Sequence, residues 1–181
     1  MNQYVISYAH PQPHVFWPEV LLIEKKHPTW QAGCYNLPGG KIEEDETIHE
    51  AASRELREET GIDCLPEQVR LLGTIEGGNF IVYVCRCDYD SLRGRNVPET
   101  MTDERVFWMP LGEALNHERL IDNLRIIIPF CRAGLMGWHI SEHNCVRIDN
   151  VDIAVFRRLG GEEGAQDCGA ISWRAGTRCI R

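Results

Sequence analysis

Three glutamates, Glu55, Glu58 and Glu59, occupy positions i, i+3 and i+4 of a segment with helical patterning. On a helix such residues are surface neighbours, about 5–6 Å apart at Cβ, and like charges there repel. They also fall near the C-terminal end, where the helix dipole disfavours anions. One reading is a solvated acidic face laced with Arg54 and Arg57. The other is a site for a divalent cation, which removes the conflict; hard carboxylate oxygens select Mg²⁺, Mn²⁺ or Ca²⁺ over zinc. Just upstream, Gly39 and Gly40 let backbone approach a ligand closely, and a glycine carbonyl there is a further oxygen donor. Arg54 is suited to hold a carboxylate, Glu46 first, through a bidentate bond that clamps the loop to the helix.

The full pattern decides between the two readings. Gly40, five residues, Glu46, seven residues, then Arg54-Glu55-Leu56-Arg57-Glu58-Glu59-Thr60-Gly61-Ile62 fills every fixed position of the Nudix box. A chance match of this kind is on the order of 10⁻⁹ per start position. The chain therefore resembles the Nudix hydrolases, over the box and, with Leu37-Pro38-Gly39-Gly40 and the strand order, to about Gly137. The resemblance implies an α/β/α sandwich with a mixed central sheet. It implies Mg²⁺-dependent, or Mn²⁺-dependent, cleavage of a nucleoside diphosphate linked to another group. Glu55, Glu58 and Glu59, with the Gly39 carbonyl, are the implied metal ligands, and Arg54 and Glu46 support the box. Cations bridging the phosphates would neutralise the leaving group and activate water. For the general base, Glu58 and Glu55 are the box candidates and Asp103 and Glu104 the loop candidates; an ordinary polar turn is the other reading of the last two.

Substrate choice lies outside the box. Signatures of the ADP-ribose, NADH and coenzyme A branches are missing. Trp108 is followed fourteen residues later by Asp122-Asn123, similar to the acidic pair with which the mammalian oxidised-purine nucleotide hydrolases read a base. Capping of a following helix is the competing role for either residue. Trp30 and Tyr35, on the loop before the box, are candidate exposed platforms for a base; Trp17, Phe80, Tyr83 and Trp108 are more ordinary core residues. The expectation is a pyrophosphatase acting on a normal or modified (deoxy)nucleoside triphosphate. The alternatives are ADP-ribose, a nucleotide sugar or a dinucleoside polyphosphate as substrate, or a nucleotide sensor without turnover. A sensor would be expected to lose box carboxylates, and here they are present.

The elements that must position these residues can be read from local patterning. Val5–Tyr8 reads as a short strand and 10–14 as a loop. Glu19–Glu24 is a buried strand bounded by charge. A helix from about Thr47 to Thr60 has a Thr-x-x-Glu capping box at Thr47 and Glu50 and a glycine stop at Gly61. Val69–Glu76 and Asn79–Cys87 flank Gly77-Gly78 as a hairpin. Val106–Met109 is a strand, Gly112–His117 a turn of helix at most, and Leu120–Cys131 a helix interrupted by Pro129. A Nudix domain over 1–140 and a partly irregular extension over 141–181 follow, with 160–181 a poorly specified tail.

The length of 181 residues fits one domain. With 19 Lys+Arg against 27 Asp+Glu the net charge is −8, which argues against a stable nucleic-acid partner bound through a basic face. It is compatible with a small-molecule nucleotide, since cations invert the local field. No apolar run is long enough to span a membrane, and the first residues lack the features of a secretory signal. A cytoplasmic protein is the default expectation, and family members often form homodimers. The eight scattered cysteines read as reduced thiols; Cys131, His139, His143 and Cys145 are the nearest approach to a zinc set and match no standard spacing.

Overall fold

A computed structural model describes residues 1–12, 19–90 and 98–141, and beyond them four short strands. The element order is β1 (Asn2–Gln12), β2 (Glu19–Glu24), a single 3₁₀ turn at Thr29–Gln31, β3 (Tyr35–Asn36), α1 (Ile48–Thr60), β4 (Val69–Glu76), β5 (Phe80–Asp90), β6 (Arg105–Pro110), α2 (Leu111–Asn116), α3 (Leu124–Ala133) and β7 (Trp138–Ile140). The strands β8 (Cys145–Ile148), β9 (Val151–Ala154), β10 (Phe156–Arg157) and β11 (Ile171–Ser172) follow.

Six strands form one mixed sheet in the order β1-β5-β4-β7-β8-β9, and β3-β2-β6 form a second, antiparallel sheet. β1 runs parallel to β5, β4 and β5 are the expected hairpin, and β7 joins β4 in parallel. The six-stranded sheet thus continues past residue 140 through β8 and β9. Two apolar clusters fill the two sides. One lies under α1 and gathers Val5, Ala52, Leu56, Cys85 and Cys87. The other packs Leu22, Leu72, Val84 and Trp138 against α3. This is the α/β/α layering that a mixed sheet with helices on both faces requires.

α1 forms as its sequence dictates: Thr47 and Glu50 make both capping-box bonds, and Gly61 ends the helix at φ +72°. Elsewhere the structure corrects local expectations. β1 is eleven residues long and includes Pro11 rather than stopping at Tyr8. Val5 and Ser7 donate their N–H groups away from β5, to Gly40 and Pro38, so odd positions face outward and Pro11 removes no bond to β5. Gly112–His117 exceeds one turn, as the six-residue α2. α3 starts at Leu124, not Leu120, and runs through Pro129 without ending. An internal proline costs about 3 kcal/mol. Burial of Leu124, Ile126, Ile127, Ile128 and Cys131 offsets it, and the buried Arg86 guanidinium caps the Cys131 and Arg132 carbonyls.

Cys64, Cys85, Cys87 and Cys131 are free and buried, whereas Cys34 is disulfide-bonded, which corrects the expectation of reduced thiols at that position. His139 bonds Thr74 Oγ1 at 2.8 Å and Glu76 at 3.3 Å. His143, the Cys145 side chain and the 160–181 tail, apart from the strand Ile171–Ser172, lie outside the described residues. Among the described residues no helix is long and apolar enough to cross a membrane.

Candidate active site

The glycine turn before α1 is squeezed from two sides. On one side the outer edge of β1 grips it: Val5 N–H donates to Gly40 O at 2.9 Å, Ser7 N–H to Pro38 O at 2.8 Å, and Ile42 N–H to Gln3 O at 3.0 Å. Gly39 has φ +153°, and a Cβ there would fall on the Val5 carbonyl. On the other side stand the carboxylates of α1. Gly39 N–H donates to Glu59 Oε2 at 2.7 Å, and a Cβ on Gly40 would overlap the Glu55 carboxylate. Gly39 therefore requires glycine, while at Gly40 a larger residue would push the Glu55 carboxylate aside.

Arg54 holds the acidic face together. Its Nε and Nη2 bond the two oxygens of Glu46 at 3.0 and 2.6 Å, and Nη2 also reaches the Lys41 carbonyl. Nη1 bonds Glu55 Oε1 at 2.9 Å and Glu58 Oε2 at 3.1 Å. Arg54 and Glu55 are adjacent in sequence, yet the long guanidinium curls back to touch all three carboxylates. The bond from Arg54 holds the Glu46 carboxyl below the usual range. Burial pushes Glu55 up despite Arg54. Burial pushes Glu59 up to about 7, against the pull of Lys25 and the Gly39 N–H. Glu58 is the outermost of the three, its side chain 55% exposed against 13% for Glu55 and 11% for Glu59.

Lys25 closes the far side. Its ammonium lies 2.5 Å from Glu104 Oε2 and 3.5 Å from Glu59 Oε1. Glu104 Oε1 accepts the N–H groups of Lys26 at 2.6 Å and His27 at 3.1 Å. Burial opposes ionisation of Glu104, but these donors outweigh it and hold the carboxyl below its ordinary range. Lys25 was not singled out by the sequence, where it is one more charge at the end of β2. The only signal available was its place directly after a buried strand, at the same end as the glycine turn.

Five carboxylates, from Glu46, Glu55, Glu58, Glu59 and Glu104, thus share two cations, Arg54 and Lys25. The excess of negative charge, the all-oxygen donor set and the raised Glu55 and Glu59 fit a divalent cation. As they stand, no three His, Cys, Asp or Glu side chains among the described residues already converge as a metal cage. Arg54 spans the gap between Glu55 and Glu58, and Lys25 that between Glu59 and Glu104.

A second group sits on the strap before α3. Tyr35 N–H donates to Arg119 O at 2.7 Å and Ile121 N–H to Tyr35 O at 3.1 Å, a parallel bridge of Tyr35 with Leu120. From this bridge one segment leads to the glycine turn and the other to Asp122-Asn123. Asn123 stands at the N-cap position of α3 but makes no side-chain cap bond, and its Oδ1 is buried with no hydrogen-bond partner. Asp122 pairs with Arg125 at 3.3 Å. Capping is therefore not what either side chain does.

Of the two proposed aromatic platforms, Trp30 is 69% exposed and Tyr35 is buried. Tyr35 is not the exposed residue expected: its ring is covered by the Arg119 guanidinium at 4.5 Å and edged by Phe107 and His117. Tyr83 and Trp108 are partly buried against the α1 cluster, and Phe80 lies at the hairpin turn. Trp17 lies outside the described residues.

Comparison with known proteins converges on one family. Residues 15–130 match the family model for the NUDIX domain. An ADP-ribose pyrophosphatase of Methanocaldococcus jannaschii is 46% identical over 55 residues, 30% of this chain and 31% of that protein. Nudix hydrolase 2 of Arabidopsis thaliana is 31% identical over 127 residues, 66% of this chain and 45% of that protein. The chain thus spans less than half the length of either relative. Among solved structures, MutT studied from Aliivibrio salmonicida and Vibrio cholerae superimposes with a TM-score of 0.57 at 17% identity, over 73% of this chain and 98% of that one. At that identity the likeness is one of fold.

Proposed function

This chain belongs to the Nudix family, and from that premise we propose that it hydrolyses a phosphoanhydride bond in a nucleotide, taking a nucleoside triphosphate to the monophosphate and pyrophosphate. A bound Mg²⁺ or Mn²⁺ would neutralise phosphate charge and acidify the attacking water. Glu55, Glu58 and Glu59, with the Gly39 carbonyl, are the residues that would hold it.

The chain's own groups divide the remaining work. Arg54 and Glu46 keep the loop on the helix, so that Glu55 and Glu58 present their oxygens to one side. Glu58 accepts from Arg54 through Oε2 alone, on a side chain more than half exposed, which supports it as the group that takes the proton from water. Glu104 has both oxygens engaged and an acidic carboxyl, which supports a holding role for it over a basic one. Lys25, held by Glu104, lies where it can also face a phosphate oxygen.

The observation that carries the choice of substrate is Asn123. A buried amide oxygen without a partner costs free energy unless a ligand supplies a donor. An amide offers one acceptor and one donor edge to a nucleobase. The second reading, cleavage of ADP-ribose, is favoured by the name of the archaeal relative.

The test is a product assay with Mg²⁺ and Mn²⁺ over normal and oxidised nucleoside triphosphates, ADP-ribose and nucleotide sugars, with Glu58→Gln as blank. Pyrophosphate from a triphosphate, made by wild type alone, is the expected result. Monophosphates from ADP-ribose with triphosphates untouched would transfer the assignment to the second reading. Nucleotide binding without turnover of any substrate would make the chain a sensor.

A further inference from the structure

Beside the carboxylate cluster lies a hollow of about 440 Å³ that the scheme above leaves unused. One wall is the end of β2 and its loop, with Glu24, Lys25 and Lys26; the floor is Ala32 and Gly33; the other wall is Asp103 and Arg105. Its size is that of a small-ligand site. Lys25 belongs both to this wall and to the contacts with Glu59 and Glu104, so the hollow begins where the carboxylates end.

Its charge runs against the rest of the chain. Three cations line it against two carboxylates, in a protein of net charge −8. The carboxylates are also largely accounted for. Glu24 is bonded by Arg119, and by Arg105 at 3.1 Å. Lys26 meets Asp103 at 3.3 Å, with both side chains more than half exposed. Exposed pairs of this kind contribute little stability and exchange readily for a better anion. Arg105 places its guanidinium carbon 4.5 Å from the centre of the Phe107 ring, which anchors the group while leaving its side chain 60% exposed. A planar fork of N–H donors so held suits a phosphate oxygen pair. The floor carries no side chain larger than a methyl group, so an anion can settle against backbone.

We propose that this hollow is the seat of the terminal phosphate of the substrate's polyphosphate, held by Lys26 and Arg105 on the side of Lys25 away from the box carboxylates. The proposal rests on the phosphoanhydride reading for its substrate. It explains how a chain with so acidic a site discriminates a triphosphate from shorter or capped nucleotides. The terminal group is read in a cationic hollow outside the carboxylate cluster, and pyrophosphate, the product that carries that group, is a ligand the hollow would hold.

The experiment uses the full chain without metal, titrated with pyrophosphate and with inorganic phosphate by calorimetry, in wild type, the Lys26→Glu/Arg105→Glu double variant, and Asp103→Asn. The double reversal is expected to weaken pyrophosphate about tenfold or more. Asp103→Asn, which frees Lys26, is expected to tighten it about two- to threefold. That gain is an effect misfolding cannot imitate. With Mg²⁺ present, the double variant is expected to raise KM for a nucleoside triphosphate about tenfold while moving KM for ADP-ribose less than about twofold. Pyrophosphate affinity indifferent to all three substitutions overturns the proposal. Inorganic phosphate binding as tightly as pyrophosphate, with KM for triphosphate unmoved, also overturns it and makes the hollow a site for free phosphate. If wild type turns over no phosphoanhydride but pyrophosphate still follows the substitutions, the assigned reaction fails and the polyphosphate seat stands.

Discussion

The two halves of the site are built differently. The box half is local: Arg54 reaches Glu46, Glu55 and Glu58 within eight residues of itself, on a helix that caps both of its own ends. The other half is assembled across the chain. Lys25 meets Glu104 from 79 residues away, and Arg119 meets Glu24 from 95. The local half carries an excess of negative charge gathered on Arg54, while the assembled half carries Lys25, Arg119 and the unpartnered Asn123 oxygen. On the proposed assignment, chemistry is concentrated where the backbone enforces itself, and discrimination where distant segments must be brought together.

Substitutions can break this contrast. Glu58→Gln keeps the volume and removes one ligand charge; kcat is expected to fall at least about a hundredfold, with thermal stability kept or slightly raised. Turnover near wild type would take Glu58 out of the reacting centre. Arg54→Lys keeps the charge but loses the fork that spans three carboxylates, and about tenfold in activity should go with it. If lysine serves as well, the clamp is electrostatic and its geometry is immaterial.

In the assembled half the effects should appear in selection. Asn123→Ala is expected to cost about tenfold in preference among bases with little change in kcat. Equal losses for every base would return Asn123 to a structural role. Lys25→Met sharpens the comparison through pH. Glu59 is raised from 4.5 to about 7 in the folded chain, so between those values the native state binds more protons than the unfolded one. Stability of the metal-free protein should therefore fall as pH rises through that window. Lys25→Met removes a group that pulls Glu59 down, so the decline should extend to higher pH. Denaturant midpoints measured from pH 5 to 8 in chelator would read it; a flat profile for wild type would mean Glu59 is ionised throughout. The smallest effect is assigned to Arg119→Lys, which loses the stacking on Tyr35 and the bond to Gly33 O, at about 1 kcal/mol.

The legible parts of the fold were those whose causes are short-range. The capping box at Thr47, the stop at Gly61 and the hairpin at Gly77-Gly78 are each specified within a few residues, and each formed. Pro11 and Pro129 misled because a proline's effect depends on where its missing N–H would point and on how much the element buries. Neither is written near the proline itself. The strap at Leu120–Asn123 reads as the start of a helix because its apolar residues fit that pattern; in the fold Leu120 and Ile121 pair with Tyr35 instead. Lys25 reads as an ordinary charge and Glu104 as a base candidate on a polar turn; only folding puts them 2.5 Å apart.

The grip of β1 on the glycine turn has a consequence for solubility. An eleven-residue edge strand with open N–H and C=O groups is a template on which other chains can add. Residues 38–42 cover the first half of that edge, and Pro11 denies a donor further along. A variant that dislodges the turn, such as Gly39→Val, would therefore bare a strand as well as displace the carbonyl proposed as a metal ligand. Such a variant should be recovered as aggregate more often than as an inactive monomer, so the same segment guards the chain against its own neighbours.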